Sequence, residues 1–370
     1  MTRTLSFPKR SAVDLRDVRV VSPAPRAAWR EVLDADPFAL PTQTPEWTDW
    51  VCRARGHTDG SRLYEFPDGR RLVLPMVARS WAGVRVTEDS MPHGLGWGGA
   101  LAAGGAPSAA EAGAVLADLS RHSAVRVTLR TNPLVATTWS TVVPPGTVRV
   151  PLVCHVLDLE GGFDRVWSDR FGHDVRKNVR RAWKHGIEVR TGADEETAAV
   201  FAELNRRTVD RWARQRNQPL WLAHLVERRR NRVGNFAAAV STLGPMLHAW
   251  TAYLDGEPVA VSVTLQVGDQ VQPWMSAMDK DLAQRTKAGA LLKSLTIEEA
   301  CRNGARWFHF GDSDPGSGVA MFKERFGGVP VPYEVLHFER LPVTAVDRGL
   351  HSAAGRVMAL RGRRPREDHL

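Results

Sequence analysis

Residues 246–279, MLHAWTAYLDGEPVAVSVTLQVGDQVQPWMSAMD, contain three strand-like runs in succession, parted only by Asp255-Gly256 and Gly268-Asp269. Two-residue connections of this kind suit tight hairpin turns, so the three runs are expected side by side in one sheet. Ala288–Asn303 (AGALLKSLTIEEACRN) then reads as an amphipathic helix, closed by Gly304 at a C-cap position. RWFHFG is the next strand, DSDPGSG a turn, GVAMFKERFGG a short helix or turn, and VPVPYEVLHFERL a last strand. The order is thus hairpin strands, helix, strand, turn, strand, a mixture of helices and strands of the α/β (α+β) kind.

At 370 residues the chain is long enough for two such domains. The first half begins with an expected helix at Arg26–Leu33. Prolines at 41 and 45 bracket the change of element before Glu46. In SRLYEFPDGRRLVLPMVARS, Asp68-Gly69 separates two apolar-rich runs and reads as a hairpin. MPHGLGWGGALAAGGAPS is too rich in glycine for a regular element, and a helix near Ala109–Arg121 and a strand at Val125–Pro133 follow. The segments LYEFPDGRRLVLPMVA and AWTAYLDGEPVAVSVTLQ both set Asp-Gly between strands of similar length, as a duplicated domain would. Between the halves, Phe163–His185 reads as one long helix, followed by helices at Glu195–Arg214 and Leu220–Arg230. The expected division is 1–153, 154–345 and a mobile tail at 346–370.

Composition bears on partners. The net charge is +9, and residues 165–232 alone hold 17 Lys or Arg against 9 Asp or Glu. A basic surface so concentrated suits a polyanion: a nucleic acid, a nucleotide or coenzyme A. The plainer reading is a solvated helical face. Arg176, Arg180 and Lys184 fall on one helical stripe, with Lys177 and Arg181 on the adjacent one, and like charges so spaced repel unless an anion relieves them. Cys52, Cys154 and Cys301 stand far apart with no paired spacing, and the twelve histidines show no metal-binding pattern, so neither a disulfide framework nor a bound metal is expected. No window approaches the ~20 apolar residues of a bilayer span, and the N-terminus lacks a signal-peptide core, so a cytoplasmic protein is expected.

Particular residues carry a resemblance. Gly304, Phe308, Phe310, Gly311, Gly318, Phe322, Lys323, Phe326 and Gly327, in AGALLKSLTIEEACRNGARWFHFG and GVAMFKERFGG, resemble the FemABX aminoacyltransferases and their GNAT-fold relatives. Pro75 and MPHGLGWGGAL are looser matches to the family's first half. The resemblance implies two tandem GNAT-like domains, each a mixed central sheet flanked by helices. It also implies transfer of an activated acyl group to an amine held between them. The donor is then an aminoacyl-tRNA, as in the founding members, or acyl-coenzyme A, as in other branches; a non-catalytic RNA-binding module on the same fold is the third reading. The founding members' coiled-coil arm has no counterpart here. The coenzyme A loop of GNAT enzymes appears only as Arg285-Thr-Lys-Ala-Gly-Ala290, with alanine at the first glycine position.

Amide formation develops negative charge on the donor carbonyl oxygen, which a fixed cation stabilises. Lys323 is the candidate, between Phe322 and Phe326, and the resemblance assigns this lysine to the donor side. Asp312 and Asp314, after the strand RWFHFG, are candidates to take the amine's proton or hold its ammonium form. The alternatives are a snorkelling surface lysine and turn-forming aspartates. Phe322 is expected to pack or to stack on a terminal adenine. Trp274 and Ser276 lie on the strand expected to splay and admit the acyl group, and Arg285, Lys287 and Gly289 are the donor-loop candidates.

Overall fold

The structure is a computed structural model that describes residues 17–346 except 93 and 231; the expected tail, apart from Val346, lies outside the described residues. The first half runs β1 (Arg19–Val21), α1 (Arg26–Asp34), α2 (Pro45–Arg55), β2 (Thr58–Asp59), β3 (Arg62–Glu65), β4 (Arg71–Leu74), β5 (Val77–Trp81) and β6 (Val84–Asp89). It continues with β7 (Leu101–Ala102), α3 (Ala109–Ser120), β8 (Arg126–Arg130) and α4 (Ala136–Ser140). After the long β9 (Val148–Asp158) come α5 (Gly162–Arg165), α6 (His173–Lys184), β10 (Glu188–Thr191), α7 (Glu195–Gln215), α8 (Leu220–Arg230) and α9 (Arg232–Leu243). The last part holds β11 (Leu247–Leu254), β12 (Glu257–Val267), β13 (Gln270–Met278), α10 (Lys280–Thr286), α11 (Ala288–Arg302), β14 (Trp307–Asp312), α12 (Gly318–Arg325) and β15 (Val329–Glu339).

Local chemistry explains several of these boundaries. The Thr44 hydroxyl accepts from the Trp47 amide at the start of α2, Pro45 occupies its first turn, and Gly56 ends it in the left-handed region. Ser108 and Glu111 form a reciprocal capping box on α3. The expected helix 163–185 is broken in two. A π-helical turn at Val166–Arg170 ends at Phe171, and the Gly172 amide donates to the Arg325 carbonyl at 2.7 Å. A Cβ at Gly172 would sit 3.2 Å from that oxygen, so the break lets the chain close against α12. The Asp255-Gly256 and Asp68-Gly69 hairpins form as expected, joining β11 to β12 and β3 to β4.

Eleven strands make one sheet in the order β10-β11-β12-β13-β14-β9-β15-β8-β6-β5-β2, and β1-β3-β4-β7 form a smaller one. Two pairs are parallel, β6 with β8 and β13 with β14; each is bridged by a crossover containing a helix, α3 in one half and α11 in the other. The sheet is continuous because the halves exchange their long strands. β9, which follows the first half, pairs with β14, while β15 pairs with β9 on one side and β8 on the other. Residues 153 and 154 both lie within β9, so the sheet runs unbroken across the expected boundary. One apolar core lies under α6 and α11, another under α3, and a third spans the halves, with Trp47 and Trp50 of α2 against Phe201, Phe236 and Met275.

Candidate active site

The exchange of strands brings the ends of β8 and β14 to opposite sides of the β9–β15 pair, and the candidate site is built there. β14 bulges between His309 and Gly311, where Gly311 adopts φ 92°, a conformation that suits glycine. The bend turns two successive carbonyls toward α12: Lys323 Nζ donates to Gly311 O at 2.7 Å and Asp312 O at 2.8 Å. Lys323 is buried, at 6% exposure. The bland reading of a snorkelling surface lysine is therefore excluded. Burial lowers its pKa, opposed by the neighbouring Cys154 and Asp312.

The aromatic and glycine positions around this lysine hold α12 in place. Phe326 is buried against Phe171, Phe322 and Phe310, with ring centroids 5.1, 4.9 and 6.3 Å away. A Cβ on Gly327 would come within 2.8 Å of Arg170 Cβ, and one on Gly328 within 2.9 Å of the Phe310 ring, so the turn closes only without side chains there. Phe322 is 40% exposed at the helix surface. Ser317 caps α12 by accepting from the Ala320 amide.

The Asp312 carboxylate accepts from Arg130 Nη2 at 2.6 Å and from the Tyr333 hydroxyl at 2.9 Å. Trp97 Nε1 and Arg130 Nε in turn donate to that hydroxyl, at 3.1 and 3.2 Å. Burial raises the Tyr333 pKa. Asp312 is thus fixed by a cation from the other half, with its side chain 29% exposed. It lines a cleft of about 810 Å³ together with Ser313, Asp314, Tyr333, Glu334, Arg149 and the apolar Pro151, Leu152, Val153 and Pro332. Asp314 is exposed at the same rim.

Four residues were not anticipated from the sequence: Ser313 in the cleft wall, and His155, Glu324 and Lys293 outside its lining. His155 on β9, 1% exposed, contacts Ser313 Oγ through Nδ1 at 3.1 Å and Glu324 Oε1 through Nε2 at 3.4 Å. Their sequence separations, 158 and 169 residues, left no local signal. Lys293 on α11 is the fourth; its ammonium lies 5.2 Å from the Phe308 ring centre. Burial, and then the charge of Lys323, push its pKa down to about 8. Its place on the inner face of an amphipathic helix was a usable signal.

The remaining candidates disperse. Arg176 leaves the expected stripe: its Nη1 donates to the carbonyls of Trp167, Ser168 and Phe171, closing the π-turn. Lys177, Arg180, Arg181 and Lys184 are exposed on α6, and Arg180 lies 5.8 Å from the Trp167 ring. Trp274 packs edge-on against Trp47 and Trp50 of the first half, centroids 5.3 and 5.1 Å away, while Ser276 is exposed. Arg285 is exposed and Lys287 half-buried where α10 meets α11; Lys287 adopts φ 64°. The amide of Ala288 points to Thr286 Oγ1 at 3.4 Å, and those of Ala290 and Leu291 donate to Lys287 O. Ala288 is fully buried, and nothing lies within 4 Å of a Cβ built on the half-buried Gly289. Among the described residues no three His, Cys, Asp or Glu are grouped to hold a metal, and no helix is long and apolar enough to cross a membrane.

Residues 170–324 match the family described as the acetyltransferase (GNAT) domain. The chain is similar to a solved structure of FemX at 11% identity and TM-score 0.61, over 87% of this chain and 97% of that one. It is also similar to a conserved protein of unknown function from Bacteroides thetaiotaomicron, at 11% identity and TM-score 0.50, over 85% and 97% of the two chains. No curated protein matches the sequence significantly. At such identities the structural likeness is one of fold, two GNAT-like halves in tandem. The chain thus shares its fold with FemX and carries a match to the acetyltransferase (GNAT) domain over residues 170–324.

Proposed function

We propose that the chain is an aminoacyl-tRNA-dependent N-aminoacyltransferase, forming an amide on the amine of a small acceptor. The observation that carries the acyl-transfer part is the buried Lys323 ammonium, held at the end of β14 by the carbonyls of Gly311 and of Asp312, a residue that lines the cleft. Two of its three N–H bonds are occupied, which leaves one to donate to the carbonyl oxygen as charge gathers on it. The acceptor enters the cleft where Asp312, Asp314 and Glu334 offer carboxylates to an ammonium group and the prolines offer an apolar wall. In this reading residues 1–153 and 154–345 act as two domains that share the acceptor.

The donor assignment is supported by two features. Lys177, Arg180, Arg181 and Lys184 offer an exposed basic face for phosphates. At the start of α11, the Ala288, Ala290 and Leu291 amides have partners within the chain and Ala288 fills the position of a glycine, which suits a pyrophosphate poorly. A coenzyme A-dependent N-acyltransferase is the second reading, favoured by the family description of residues 170–324. The test is to incubate the purified protein with charged total tRNA or an acyl-coenzyme A panel, in a mixture of amino acids and short diamines, and to follow donor consumption. Ribonuclease abolishes consumption if the donor is tRNA; consumption of an acyl-coenzyme A that survives ribonuclease replaces this reading with the second.

A further inference from the structure

The amine that attacks the donor must lose a proton, and Asp312 is poorly suited to take it. Its carboxylate already accepts from Arg130 and Tyr333, which occupy it within the chain. Next to it, Ser313 also lines the cleft. Its backbone amide donates to Val153 O at 3.1 Å, which fixes the residue against β9. Behind its hydroxyl lies His155, and beyond His155 the Glu324 carboxylate, half-exposed and engaged among the described residues in one ion pair, that with His155. A serine backed by a buried imidazole and oriented by a carboxylate is an arrangement able to move protons.

We propose that Ser313, His155 and Glu324 form a proton relay leading from the acceptor cleft to the solvent side of α12. This rests on the acyl-transfer reading above. Neutral His155 accepts at Nδ1 from the Ser313 hydroxyl and donates from Nε2 to Glu324, the tautomer that a carboxylate partner selects. As the amine nitrogen bonds to the donor carbonyl carbon, it passes one proton to Ser313 Oγ while the serine's own proton moves to His155 Nδ1. Glu324 stabilises the imidazolium. The carbon–oxygen bond of the donor ester, or the carbon–sulfur bond of a thioester, then breaks, and the proton returns by the same path to the leaving atom. One proton has moved from nitrogen to leaving group, and the histidine ends neutral. Ser313 touches substrate; His155 and Glu324 position and poise it.

The other titratable and charged groups on the elements around His155 are Lys323 and Arg325 on α12, His309 and Asp312 on β14, Arg149, Cys154 and Asp158 on β9, and Tyr333, Glu334, His337 and Glu339 on β15, which sets Pro330 opposite it. The test uses the full chain with charged total tRNA, or the acyl-coenzyme A panel, in the same amine mixture, measured from pH 6.5 to 9.5. Ser313→Ala is expected to lower kcat about a hundredfold and Glu324→Gln about tenfold, with donor KM within about threefold of wild type. Both deficits should narrow at the alkaline end, where more of the proton is taken by solvent base. Variants that match wild type in rate and pH profile overturn the relay and leave acyl transfer standing. So do variants whose loss is the same at every pH and appears in KM, since that marks a structural tie. A wild-type protein that consumes no donor with any amine overturns both readings.

Discussion

The two parallel strand pairs of the sheet, one in each half, show how a repeated scaffold diverges at its strand ends. β6 and β8 pair over three positions, from Thr87↔Arg126 to Asp89↔Thr128. β13 and β14 pair over two, Gln270↔Trp307 and Val271↔Phe308, and then diverge. After β8 the chain makes only the five-residue α4, whose residues wall the cleft. After β14 it makes the eight-residue α12, which sends Lys323 back to the strand end. The first half supplies a counter-charge, Arg130, and the second the strand end that carries Asp312 and the carbonyl partners of Lys323. Neither half has the site by itself.

Five experiments would break or sharpen that contrast, the strongest at the junction. Arg130→Met removes the first half's cation and leaves a partly buried carboxylate held by Tyr333 alone, so denaturant unfolding should show a loss of about 3 kcal/mol. An unchanged midpoint would mean that the halves are joined by packing alone. Lys323→Met should cost about a hundredfold in kcat, about 2.7 kcal/mol of barrier, with little change in acceptor KM. Retained turnover would remove the distinction between the two strand ends.

The pH dependence of stability reports on the buried lysines of the second half. Burial holds the Lys293 pKa down at about 8, against an ordinary 10.5, and lowers that of Lys323 as well. Between pH 8 and 10.5 the unfolded chain binds more protons than the folded one, so stability should rise with pH there, and the penalty is fully present below pH 8. Lys293→Met should flatten that rise and add on the order of 2 kcal/mol at pH 7. A flat profile in the wild type would show that Lys293 is solvated. The smallest effects belong to α6. Replacing Lys177, Arg180, Arg181 and Lys184 with alanine should raise donor KM about tenfold at low salt and flatten its salt dependence. Arg176→Ala should instead lower stability by about 1 kcal/mol and leave the salt slope intact, because its guanidinium closes a turn.

Much of the second half could be read in advance. Alternating apolar runs with Asp-Gly and Gly-Asp turns define β11–β13, and Gly304, in the left-handed region at φ 78°, ends α11 close to where the pattern stops. The motif around Lys323 also carried information, since its phenylalanines and glycines are the residues that press α12 onto β14. β9 carried no comparable signal. It is flanked by two partners that lie far away in the chain, and its Val-Arg-Val-Pro-Leu-Val run does not announce them. The helix 163–185 was misread for a related reason: the break at Gly172 answers to Arg325, a contact that periodicity does not contain.

Sequence by itself determined most element types and local turns between residues 246 and 341, because hydrophobic period and turn chemistry act over a few residues. It also singled out one lysine among seven. Tertiary structure alone decided that this lysine is buried, that Asp312 meets Arg130 from 182 residues away, and that Ser313, His155 and Glu324 touch. Those contacts arise from the exchange of β9 and β15 between the halves, and strand exchange is settled by the packing of whole sheets.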